Sequence, residues 1–138
     1  MCLQAGPALG FDPPERVAIT GAADAIAWAR TIPAFGWYPE VYVLFLSAEG
    51  ALRRAAWLGT AATLDDFTTW PDFSLGYLPP GGASAVMLLV CRPGRGVEPS
   101  GSDRQVFELL RLAHDASGVL LADAVLVDGR RWHSMAAC

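Results

Sequence analysis

Three residues near the end of the chain have side chains that could do chemistry: Asp123, His133 and Ser134. An acid, an imidazole and a hydroxyl are the parts of a nucleophilic triad. In such a triad the histidine takes the serine proton and the acid orients the histidine. The spacing argues against that reading. All three residues fall on "ADAVLVDGRRWHS", where Asp128-Gly129 is a strong two-residue hairpin signal, since both central positions of that turn take positive φ. With the turn there, Val127 faces Arg130, Leu126 faces Arg131, Val125 faces Trp132, Ala124 faces His133 and Asp123 faces Ser134. Side chains alternate along a strand, so Asp123, Val125, Val127, Trp132 and Ser134 share one face. Ala124, Leu126, Arg131 and His133 share the other. His133 and Ser134 then point opposite ways, and Ser134 has no adjacent base. Two uses remain: an Asp123–Ser134 hydrogen bond, and an edge where Arg131 and His133 stand side by side.

Other candidates are weaker. Asp65-Asp66 reads as a pair of solvated dipole partners at a helix start rather than a metal site. "GAADAIA" lacks the spaced glycines of a dinucleotide fingerprint, and "GYLPPGG" lacks the Gly-Lys-Ser/Thr end of a phosphate loop. His114, near the end of a helix, is expected to sit protonated at the negative end of the dipole. The loop "FGWYP" gathers Phe35, Trp37 and Tyr38. It is either a ligand rim or partner surface, or a plug tucked into the core.

These residues need elements to position them. Residues 1–16, with Pro7, Pro13 and Pro14, read as an extended arm, and 17–138 as a single α/β domain. "TGAADAIAWARTI" predicts a helix capped by Thr20, with Asp24 in its first turn and Pro33 as its stop. "VYVLFLS" and "ASAVMLLVC" predict strands buried on both faces. "ALRRAAWLG" predicts another strand, and Thr63 to about Trp70 a short helix. "RPGRGVEPSG" reads as a solvated loop or flap. "SDRQVFELLRLAHDASG" is the clearest helix, with a Ser102/Gln105 capping box and Gly118 as its left-handed stop. Val106, Leu109, Leu110 and Ala113 line its apolar face, with Phe107 beside them. The predicted architecture is α/β: a mixed sheet of about four to five strands, two to three packed helices and a C-terminal β-hairpin.

Composition narrows the function classes. The chain has 138 residues, 53% of them hydrophobic and 17% charged, with a net charge of −4. So low a charged fraction leaves apolar surface for water or a partner to cover. The alternatives are a monomer, a homodimer and a piece of a larger parent chain. All ten basic residues are arginine and asparagine is absent, as codon usage in a GC-rich genome would produce. The arginines are scattered, which gives nucleic-acid binding no basic stripe. Cys2, Cys91 and Cys138 are odd in number and far apart, so neither a disulfide framework nor a zinc knuckle is expected. Cys91 reads as a small core residue. The N-terminus lacks a signal-peptide pattern and no run reaches the roughly 20 apolar residues of a membrane span. The expectation is a cytoplasmic chain with no cofactor and no membrane.

"LADAVLVDGRRWHS" resembles the closing motif of an actinobacterial family known as domain of unknown function 4192 (DUF4192), where a segment like Asp-Ala-Leu-Arg-Val-Asp-Gly-Arg-Trp-Trp-Ser is typical. "TGAADAIAWARTIPAFGWYPEVYVLFLS" resembles that family's opening helix, Pro-x-x-Gly-Phe-x-Pro loop and buried strand. The two segments cover about a third of the chain, in the family's order. Leu126 stands where the family has arginine, and His133 where a second aromatic is common. "ALRRAAWLG" stands in place of an Arg-x-Asp-Leu-Pro-like segment, and the chain stops at Cys138, before the family's Cys- and Pro-rich stretch. The resemblance implies a fold group and lends no activity. The resulting expectation is a non-catalytic module that binds a partner protein or small ligand through Phe35, Trp37, Tyr38, Asp123, Arg131, Trp132, His133 and Ser134. The alternative is a hydrolase-like enzyme that uses Asp123, His133 and a loop residue.

Overall fold

A computed structural model describes residues 10–11, 17–59 and 77–136. The helix expected at Thr63–Trp70, with Asp65 and Asp66, lies outside the described residues, as do Cys2, Cys138 and most of the N-terminal arm.

Val41–Leu46 (β2) explains the architecture. Its six residues are all buried, so both faces of the strand must be covered. Leu52–Gly59 (β3) pairs antiparallel on one side of it and Ala85–Cys91 (β4) antiparallel on the other. Leu120–Asp128 (β5) runs parallel to β4, and Arg131–Ser134 (β6) closes the hairpin at the edge. Gly10–Phe11 (β1) pairs with Ala55 and Ala56 at the opposite edge. The order is β1-β3-β2-β4-β5-β6. Ala22–Ala29 (α1) covers one face, packing Ala25, Ile26 and Ala29 onto Tyr42, Leu44, Leu89, Val125 and Val127. Gly101–Ser117 (α2) covers the other, packing Val106, Phe107 and Leu110 onto Val43, Phe45, Leu88 and Leu126. Each such valine, leucine, isoleucine or phenylalanine side chain contributes roughly 1.5–3 kcal/mol when fully buried. The expected α/β class, mixed sheet, packed helices and C-terminal strand pair are present. Among the described residues no helix is long and apolar enough to cross a membrane.

Both helix starts differ from expectation. Gly21, not Thr20, is the N-cap of α1. The Thr20 backbone N–H and hydroxyl both donate to the Asp24 carboxylate, which holds that carboxyl below its usual range. In α2 the capping box is Ser100/Asp103 rather than Ser102/Gln105. The Asp103 N–H donates to Ser100 Oγ at 3.0 Å, and the Ser100 N–H donates to Asp103 Oδ2 at 2.9 Å. Asp103 also receives the buried Arg92 guanidinium, a tertiary contact that selects this start over the alternative two residues on. The inward stripe is Asp103, Val106, Phe107, Leu110 and His114, while Leu109, Leu112 and Ala113 face outward. Gly118 ends the helix in the left-handed region, as expected.

His114 is not a protonated dipole partner. It is fully buried, its Nδ1 lies 3.0 Å from the Val119 carbonyl oxygen, and burial pushes its pKa down. A histidine kept neutral in the fold binds a proton more readily when unfolded. Stability is therefore expected to be level above the unfolded pKa near 6.5 and to fall as pH drops through the window below it. The slope is at most about 1.4 kcal/mol per pH unit. Urea denaturation at pH 7.5 and 5.5 checks this, and in His114→Gln the component is expected to vanish.

Candidate functional site

The C-terminal hairpin is where the sequence placed its chemistry, and its register differs from the expected one. The observed pairs are Asp128–Arg131, Val127–Trp132, Leu126–His133 and Val125–Ser134. The loop is Gly129-Arg130, with positive φ at Gly129 alone, the pattern of a II′ turn. Asp128 is thereby released from the turn. Its carboxylate accepts the Gly94 and Gly96 N–H groups at 3.0 and 2.9 Å and pairs with Arg131 at 3.1 Å. Those two amides, then Arg131, hold the carboxyl below its usual range. The segment expected to be a solvated flap is thus pinned at Asp128 and, through Arg92, at α2.

The slip moves the return strand by two residues, an even number, so every side chain keeps its expected face. Trp132 and Ser134 stand on the α1 face, opposite Val127 and Val125. Arg131 and His133 stand on the α2 face, opposite Asp128 and Leu126. Ser134 Oγ donates to Asp123 Oδ2, and Asp123 Oδ1 accepts from the Ala124 and Ala136 N–H groups at 2.7 and 3.0 Å. Asp123 shares the face of Val125 by alternation, and a bulge at Ala122, between the Val86–Leu121 and Met87–Asp123 pairs, puts Leu121 on the opposite face. Asp123 is therefore a clamp on the end of β6. His133 is on the other face, and the structure brings it to neither Asp123 nor Ser134. Among the described residues no group of three His, Cys, Asp or Glu side chains could hold a metal.

The aromatic loop is both things at once. Phe35 is a plug: it is buried, with its ring centroid 5.8 Å from that of Tyr42. Trp37 and Tyr38 are 60% and 59% exposed. Beneath them burial raises the pKa of Tyr42, whose hydroxyl donates to Glu40, and pushes the Cys91 thiol up to about 12. Cys91 is the core residue expected of it.

The loop docks on the hairpin tip. The Gly129 N–H donates to the Gly36 carbonyl at 2.9 Å. A Cβ on Gly36, whose φ is +91°, would lie 2.5 Å from the Gly129 oxygen. The six-membered ring of Trp37 lies on Gly129, with Cη2 3.0 Å from where a Cβ would be. Ala34 takes φ +60°, a left-handed conformation that costs a non-glycine residue about 1–2 kcal/mol. Arg30, at the C-cap of α1, donates through Nη2 to the Arg130 carbonyl at 2.8 Å. Between loop and tip lies a cleft of about 320 Å³, lined by Arg30, Ile32, Ala34, Phe35, Trp37, Gly129 and Arg130.

Sequence reasoning placed Phe35, Trp37 and Tyr38 near a site but missed Arg30, Ala34 and Arg130. Only the II′ turn puts Arg130 at the tip; in the expected register it was a strand residue. No protein-family model matches the chain, and no curated protein matches it either.

Proposed function

We propose that the chain is a non-catalytic α/β binding module whose contact surface is the 32–38 loop on the hairpin tip. One observation carries this reading. An indole with most of its surface in water is held by backbone that only glycine fits, at Gly36 and Gly129, beside a residue in a strained conformation, Ala34. Strain of that kind persists where the surroundings enforce it, and such positions cluster at ligand clamps. A rigid exposed aromatic is the usual anchor of a recognition surface. The hydrolase-like alternative loses support from the opposite facing of Asp123 and His133.

The proposal extends to membership of the actinobacterial family 4192. Its support is that the two resembling segments meet in space through the Gly36–Gly129 hydrogen bond. It extends also to a cytoplasmic location, in keeping with the free thiol of Cys91. For a homodimer, one of the alternatives that composition left open, the exposed Leu109 and Leu112 of α2 supply apolar surface.

A thermal-shift screen of the purified chain against metabolites and nucleotides tests the reading. A ligand at 100 times its Kd stabilises by about 2.7 kcal/mol. At least one class is expected to raise Tm in the native chain and not in Trp37→Ala, which itself is expected to fold within about 1 kcal/mol of native. Ligand-induced shifts that all survive Trp37→Ala would falsify the reading.

A further inference from the structure

We infer that the cleft between the 32–38 loop and the hairpin tip is an anion site. It takes a small ligand that joins a planar ring to a carboxylate or phosphate. This rests on the binding-module reading and adds the class of ligand.

The charge pattern carries the inference. The chain is acidic overall, with a net charge of −4, yet among the described residues the only charged ones lining the cleft are Arg30 and Arg130. The nearest carboxylate in sequence, Asp128, is committed to the Gly94 and Gly96 amides and to Arg131. Arg130 is exposed, and among the described residues its guanidinium has no hydrogen-bond or ion-pair partner. A guanidinium carries five N–H donors in a planar fork, and Arg30 commits one nitrogen to a carbonyl. Two guanidinium groups against an apolar wall of Ile32, Ala34 and Phe35 present a set of donors and positive charge suited to an acceptor-rich anion.

The ring requirement comes from Trp37. Its six-membered ring rests on Gly129 while most of the side chain stays exposed beside both arginines. An indole so held offers stacking surface to a flat ligand. A volume of about 320 Å³ lies at the small end of ligand sites, room for one ring and its acidic group. The second arginine comes from the closing hairpin and the first from the end of α1, so the site exists only when the two ends of the domain are docked.

The test is a titration of the 15N-labelled full chain, read at the Trp37 indole N–H and the Gly129 amide. Four probes are used: phenyl phosphate, benzoate, inorganic phosphate and neutral benzyl alcohol. Phenyl phosphate and benzoate are expected to shift both signals saturably with Kd below about 1 mM, and inorganic phosphate to bind more weakly. Arg130→Ala is expected to weaken both by at least tenfold and Arg130→Glu to abolish them, each leaving Tm within about 2 °C because the side chain is exposed and makes no hydrogen bond or ion pair among the described residues. Added salt is expected to weaken binding. Benzyl alcohol binding as tightly as benzoate, or Arg130→Glu binding like the native chain, overturns the anion site and leaves the surface as a neutral binding face. Four flat titrations up to about 10 mM also overturn it; the Trp37→Ala screen judges the module reading separately.

Discussion

Arg92→Ala is expected to destabilise the fold by about 3–5 kcal/mol, measured by urea denaturation. Arg92 opens the segment after β4, yet it is only 4% exposed, and its Nη1 lies 3.1 and 3.0 Å from the two oxygens of the buried Asp103. Removing the guanidinium leaves a carboxylate out of water with the Ser100 N–H as its remaining hydrogen-bond donor. The position of Asp103 in the first turn of α2 softens the loss, because the helix dipole favours an anion there. A cycle with Arg92→Met and Asp103→Asn separates the pair from its burial. The asparagine keeps an acceptor for Ser100. The double variant is expected to recover more than 1 kcal/mol relative to the sum of the single changes. A loss below 1 kcal/mol in Arg92→Ala would show that the loop is held by Asp128 alone.

The second large effect is expected at Gly36. Its φ of +91° costs any other residue about 1–2 kcal/mol. An alanine Cβ would also meet the Gly129 carbonyl at 2.5 Å and Val127 Cγ1 at 3.2 Å. The obstruction on one side is backbone, so the loop must lift from the hairpin and forfeit the Gly129–Gly36 hydrogen bond, worth about 0.5–1.5 kcal/mol. Gly36→Ala is expected to cost about 2–4 kcal/mol, a fall in Tm of roughly 6–15 °C. It is also expected to remove hydrogen-exchange protection from the Gly129 amide. Gly118→Ala is the control. That glycine also has positive φ but meets nothing within 4 Å, so only the conformational cost is expected. Equal losses at the two positions would mean that docking of loop on hairpin contributes nothing.

What could be read from the sequence was whatever short-range pattern decides. The β2 and β4 segments are apolar throughout, and no other element buries both faces over so short a run. Alternation fixed the faces of β5 and β6, and the even slip preserved them even though the turn was misplaced. The misplaced turn, the cap of α2 and the role of His114 share one cause. Each is decided by tertiary structure: Asp128 by Gly94 and Gly96, Asp103 by Arg92, and His114 by the burial of the inner face of α2 against the sheet. Local rules weigh Asp-Gly as a turn and serine with glutamine as a box; they cannot see that a carboxylate is wanted elsewhere. The candidate site was half legible for the same reason. Aromatic residues clustered in a loop are visible in one dimension, whereas the pairing of Arg30 with Arg130 exists only once the chain's two ends meet.

Because β4 and β5 run parallel, hairpins alone cannot assemble this sheet. The β2–β3 and β5–β6 hairpins need only short chain closures. β4 pairs Val41 with Val90 on one side and Ala85 with Leu120 on the other, so it must close two long loops. Topology therefore predicts that early in folding the chain forms two locally ordered halves, with the insertion of β4 between them as the slow step. Until that happens the inner edges of β2 and β5 are bare, apolar and open to other chains. The interval before β4 arrives is when this protein is most exposed to aggregation.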